Sequence, residues 1–220
     1  MGSTIDLKAA DGHSFSAYTA GPADAKHGLV VVQEIFGVNA HMRHVCDTFA
    51  AAGYKVAAPA LFDRVERNLE LGYTPDDVAR GRDLRTHVPD AGIMADVTAC
   101  AKHLGGKLGI VGYCWGGTVG WWGATRTDLF SAAVGWYGGG IAGTATETPH
   151  CPVQLHFGEK DAGIPLTDVD KIKAAQPGAE IFIYPGAGHG FGCEERGSFD
   201  AKAAALAQAR TLKFFWDHLK

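Results

Sequence analysis

Short apolar runs alternate along this chain with segments of helical spacing, and that alternation leaves few folds open to it. Leu29-Val30-Val31-Val32, Tyr54 to Ala58, Leu108-Gly109-Ile110-Val111, 131–137, 153–157 and 181–184 read as strands. Unbroken apolar runs suit strands buried on both faces of a mostly parallel sheet. Between them, Met42, Val45, Phe49 and Ala52 fall at helical spacing in 41–52, which Gly53 stops. Helices are likewise expected over 75–88, 90–104, 115–125 and 167–175. A last one, about 200–219, has Ala204, Leu206, Leu212, Phe215 and Trp216 as its apolar positions. Ahead of all these, Ile5-Asp6-Leu7 and Phe15-Ser16-Ala17-Tyr18 alternate at period two around Asp11-Gly12, the pattern of an antiparallel hairpin.

Strand–helix alternation implies βαβ units, right-handed crossovers and a parallel sheet flanked by helices. The 220 residues contain no repeat, low-complexity tract or Pro/Ser linker, so one domain over 1–220 is expected. Thirty glycines, about twice average usage, fit many tight strand-to-helix corners.

The formal charge of −4, without a long Lys/Arg run, offers no footprint for nucleic acid. No apolar stretch approaches the ~20 residues of a membrane span, and the start lacks a signal-peptide layout. Five cysteines without a CxxC pair suggest reduced thiols and a cytoplasmic protein. His41 and His44, with Cys46 nearby, lack a second ligand pair at a plausible interval, so they read as solvated helix histidines. No metal and no cofactor is expected.

Ligands of open parallel sheets sit beyond the carboxyl ends of the strands, so the residues just past each strand carry the functional information. Gly112-Tyr113-Cys114-Trp115-Gly116 follows one strand and opens a helix. It has the form of a nucleophile elbow, G-x-S-x-G, with cysteine for serine. A sharp strand-to-helix turn needs small neighbours, and it lifts the thiol out of the sheet at a helix N-terminus, whose dipole favours thiolate. Asp161 follows the strand at 153–157, and His189, in Gly188-His189-Gly190, follows the strand at 181–184. Nucleophile, acid, histidine is the chain order of α/β-hydrolase triads. In such a triad His189 takes the thiol proton and later activates water, while Asp161 fixes its tautomer. Gln33-Glu34-Ile35-Phe36-Gly37 ends the first buried strand, where the fold draws one oxyanion amide from Ile35 and another from Trp115.

With Asp11-Gly12-His13, Gln33 to Asn39, Gly112-Tyr113-Cys114, Tyr137-Gly138 and Gly188-His189, the chain resembles the dienelactone hydrolase (carboxymethylenebutenolidase) family over nearly its whole length. The resemblance implies a compact α/β-hydrolase core without a large lid domain. It implies a small lactone or ester substrate, opened through a thioester on Cys114, with Glu34 as thiol activator; as a partner for the chain itself, a monomer or a homodimer is expected. The best-known members of the family carry an Arg four residues after the catalytic His; here that residue is Cys193. Arg196, Arg80 and Arg82 are the arginines left to meet a substrate carboxylate, with Tyr137 and Phe36 as further substrate contacts. The competing readings are an acyl hydrolase of another small ester or thioester, and a redox-sensing thiol protein without hydrolytic activity.

Overall fold

The computed structural model describes residues 2–220, which divide between Leu108 and Gly109 into two compact units. In the first, the hairpin β1 (Ser3–Lys8) and β2 (Ser14–Ala20) forms as expected. Strand β3 (His27–Val32) pairs in parallel with β4 (Lys55–Pro59), and β4 runs antiparallel to β2. The strand order in this unit is β1-β2-β4-β3. Leu29 to Val32 are fully buried, as their unbroken apolar run requires.

Helix α1 (Ala40–Ala51) starts where the Asn39 side chain accepts the Met42 amide and ends at Gly53, whose φ of 93° suits only glycine well. The expectation for its histidines is half wrong. His44 is exposed, but His41 lies on the buried face of α1 with Met42, Cys46 and Phe49. Helix α2 (Pro75–Thr86) opens with a capping box between Thr74 and Asp77 and Pro75 in its first turn. Helix α3 (Asp90–Leu104) ends at Gly105 and packs with α1 on β4.

In the second unit β5 (Lys107–Tyr113), β6 (Ala132–Trp136), β7 (Val153–Gly158) and β8 (Glu180–Tyr184) pair in parallel in that order. Helix α4 (Trp115–Arg126) carries glycines that isolated propensity would penalise by roughly 1 kcal/mol each. Close packing explains them. A β-carbon on Gly117 would meet the Trp136 carbonyl at 2.5 Å, and one on Gly120 the Val134 carbonyl at 2.9 Å. Helix α5 (Leu166–Ala175) precedes β8, and α6 (Ala201–Leu219) begins at Asp200, whose carboxylate accepts the Lys202 and Ala203 amides.

The inward face of α6 differs from the expected one. Ala203, Ala207, Thr211, Phe214, Phe215 and Leu219 are buried, whereas Leu206 and Trp216 are exposed, Trp216 at 62%. Of the expected apolar positions Phe215 is buried, and small Ala203 and Ala207 join it there, while the Trp216 ring lies under the Lys220 ammonium.

Candidate active site

Cys114 stands between β5 and α4 with φ 56° and ψ −115°, a backbone conformation that costs an L-residue about 1–3 kcal/mol. Its surroundings hold it there. The Cys114 amide donates to the Trp136 carbonyl at the end of β6 (3.0 Å), and its own carbonyl accepts the Gly117 amide (3.0 Å). Any side chain at Gly112 would collide with the Gly116 carbonyl, so the tight corner depends on that glycine. Cys114 is half-buried, with its sulfur at the start of α4, where the helix dipole favours negative charge.

The loops after β7 and β8 are locked to each other through backbone contacts. Lys160 donates to the Ala187 carbonyl (2.8 Å) and Glu159 to the Tyr184 carbonyl (3.0 Å). A β-carbon on Gly158 would crowd the Ala187 and Gly188 carbonyls, so this residue permits the approach. The result brings the three strand-end residues together. His189 Nε2 lies 3.2 Å from Cys114 Sγ, and His189 Nδ1 lies 2.7 Å from Asp161 Oδ2. Asp161 is 4% exposed, and its other oxygen accepts the Gly163 amide at 2.8 Å.

Burial alone would disfavour an imidazolium here. The hydrogen bond to Asp161, the hydrogen bond to Cys114 and the charges of both outweigh it, and His189 is raised to about 10. Such a relay can hold a proton next to sulfur, release a nucleophile and return the proton later.

The other expected residues are distributed as follows. Tyr137, with φ 39°, is fully buried; its ring meets the His189 ring edge-on at 5.3 Å and packs on Trp136 and Phe191. Its side chain lies inside this aromatic cluster, away from solvent. Arg196 lies against Gly190, where a β-carbon would strike its guanidinium. Cys193 is fully buried. Trp115 opens α4 and is buried.

In the first unit Glu34, Ile35 and Phe36 are buried directly after β3. The Gln33 side chain donates to the Glu34 carbonyl (3.2 Å) and accepts the Leu61 amide (3.0 Å). The Ile35 carbonyl sits against Gly81 of α2, where any side chain would collide. Phe36 is 1% exposed and its ring packs on Tyr73, so it serves the core of this loop. Arg80 and Arg82 are exposed on α2, and Arg80 pairs with Glu66 at 2.7 Å. Two contacts at the site carried no sequence signal: the Gly163 amide on Asp161, and the Ser198 hydroxyl, which donates to the His189 carbonyl at 2.6 Å.

A sequence model of the dienelactone hydrolase family matches residues 15–219. The chain belongs to the dienelactone hydrolase family. With the family comes the α/β-hydrolase fold, and the described residues contain no large inserted domain. A protein of Azospirillum brasilense named as a candidate carboxymethylenebutenolidase is 36% identical, with 98% of both chains covered. One of Synechocystis, named likewise, is 35% identical over 87% of this chain and 86% of its own. The crystal structure of a candidate dienelactone hydrolase from Klebsiella pneumoniae is similar at a TM-score of 0.83, with 32% identity over 97% of this chain and 99% of that one. This family member is a hydrolase acting on carboxylic esters or lactones. No helix among the described residues is long and apolar enough to cross a membrane.

Proposed function

We propose that this hydrolase opens dienelactone-type enol-lactones with the thiol of Cys114 as nucleophile. The observation that carries the reading is the relay itself: sulfur 3.2 Å from one imidazole nitrogen, a buried carboxylate 2.7 Å from the other. The raised His189 supports the imidazole as the seat of the thiol's proton. The thiolate sulfur bonds to the lactone carbonyl carbon, the ring C–O bond breaks, and the enolate leaves with a proton from His189. Water then attacks the thioester, neutral His189 takes its proton, and the C–S bond breaks, so one water is added in all. On the family resemblance, Glu34 is a second acceptor for the thiol proton, and the Ile35 and Trp115 amides receive the oxyanion.

A second substrate is favoured by Cys193. It is buried where the best-known family members place a carboxylate-binding Arg, so a neutral ester or lactone would lose nothing in this protein. A charge-assisted bond to a carboxylate contributes roughly 1.5–3 kcal/mol, about ten- to a hundredfold in affinity. The purified protein should be assayed with cis- and trans-dienelactone and with p-nitrophenyl acetate. Dienelactone should have the higher kcat/KM; preference for the neutral ester would reassign the substrate without touching the nucleophile. Cys114→Ala should abolish turnover of all three. Retention of more than about a tenth of kcat, a loss under ~1.4 kcal/mol, would overturn the thiol mechanism.

A further inference from the structure

His189 stands between two glycines, Gly188 and Gly190, and Gly190 has φ 75°. Glycine on both sides gives the main chain more freedom than any other neighbours would. Its ring, however, has to meet two partners at once, 3.2 Å from sulfur and 2.7 Å from a carboxylate oxygen. Something outside the Gly-His-Gly segment must fix its backbone.

The chain supplies that in the excursion from Gly190 to Asp200. Its own backbone bonds tie it into a compact loop: Cys193 to the Gly190 carbonyl, Arg196 to Cys193, Phe199 to Arg196, and Asp200 to Phe191, all at 3.0–3.1 Å. Both ends are anchored. Phe191 is fully buried against Trp136, Tyr137 and Tyr184, and Asp200 caps α6. On this loop the half-buried Ser198 donates its hydroxyl to the His189 carbonyl at 2.6 Å, and Arg196 covers Gly190.

We propose that Ser198 is a positioning residue for His189: through its bond to the His189 carbonyl, the anchored loop fixes the main chain that aims the imidazole at Cys114 and Asp161. The proposal rests on the reading of Cys114, His189 and Asp161 as the catalytic groups. A small error in that aim matters because proton transfer demands hydrogen-bond geometry, and misplacement by about 1 Å can lower a rate a hundredfold.

The test compares Ser198→Ala, Ser198→Thr and Cys114→Ala on a p-nitrophenyl ester. Ser198→Ala should lower kcat about tenfold with KM nearly unchanged, since its hydroxyl is committed to the His189 carbonyl. Ser198→Thr keeps the hydroxyl and should recover most of kcat. In Ser198→Ala the His189 imidazole should also titrate at lower pH, followed by NMR, as its bonds to Asp161 and Cys114 loosen. Wild-type kcat in Ser198→Ala overturns the proposal, and so does a Ser198→Thr as slow as the alanine variant. If Ser198→Ala is fully active while Cys114→Ala is dead, only the role of Ser198 fails. If Cys114→Ala stays active, the catalytic reading itself fails.

Discussion

At the scale of single residues, His189 joins the two contacts on which the proposed chemistry rests. Its raised value has opposing causes: burial pushes it down, and Asp161 and Cys114 push it up. Asp161→Asn removes the first of the raising partners and leaves the burial in place. The titration midpoint of His189 should then fall from about 10 towards or below its ordinary 6.5, read by NMR of the imidazole. An unchanged midpoint would mean that Asp161 does not set it. The sign for stability follows from the direction. The imidazolium's contribution is complete below about 6.5 and is lost as the pH rises towards 10. The meeting of Cys114, Asp161 and His189 was legible in the sequence because all three follow strand ends of one parallel sheet. Ser198 was not, because a serine nine positions past the histidine in a Gly-rich loop belongs to no period and no motif. The complete burial of Tyr137 and its edge contact with His189 appear only once β6 and the His189 loop are packed.

Among elements, those defined by unbroken aliphatic runs or by caps were readable to within a residue or two, as with β3 and α1. The face of α6 was not, because side-chain size misled where small Ala203 and Ala207 are buried and large Leu206 and Trp216 are exposed. Equally hidden was the polar core that ties α6 to the parallel strands. Fully buried His156 of β7 contacts Tyr184 at 2.8 Å, Gln154 at 2.9 Å and Thr211 of α6 at 3.1 Å, and the Trp136 indole donates to the same Thr211. A polar residue in the middle of an apolar strand gives no sign of its partners 28 and 55 positions away. Burial, and then the charge of Arg210, lowers His156 to about 3, so it is neutral in the folded chain. Unfolded, it returns to about 6.5 and binds a proton that the native state refuses. Stability is therefore complete above 6.5 and falls between 6.5 and about 3, by up to ~1.4 kcal/mol per pH unit for one proton. Denaturant titrations across that range should give a slope flatter by about one proton in His156→Gln than in the native sequence. Equal slopes would show that other groups carry the acid sensitivity.

For the molecule as a whole, the five cysteines report on reactivity and stability together. None is in a disulfide. Cys46, Cys100 and Cys193 are fully buried, and burial drives the Cys46 and Cys100 thiols far up. Half-buried Cys151 is pushed up to about 11, again by burial. Cys114 alone combines partial exposure with an adjacent imidazole that retains its proton well above neutrality. Thiolate, not thiol, reacts with alkylating agents. Iodoacetamide near neutral pH should therefore modify Cys114 first and Cys151 far more slowly. The three buried thiols should wait for opening of the fold around them. With a stability of roughly 5–15 kcal/mol, that open population is below one molecule in a thousand, and their labelling should accelerate steeply with denaturant while that of Cys114 does not. Peptide mapping over time resolves the five sites. Early labelling of Cys46 or Cys100 in native buffer would mean that α1 or α3 opens locally, whereas early labelling of Cys193 would place the fault in the loop that carries Ser198.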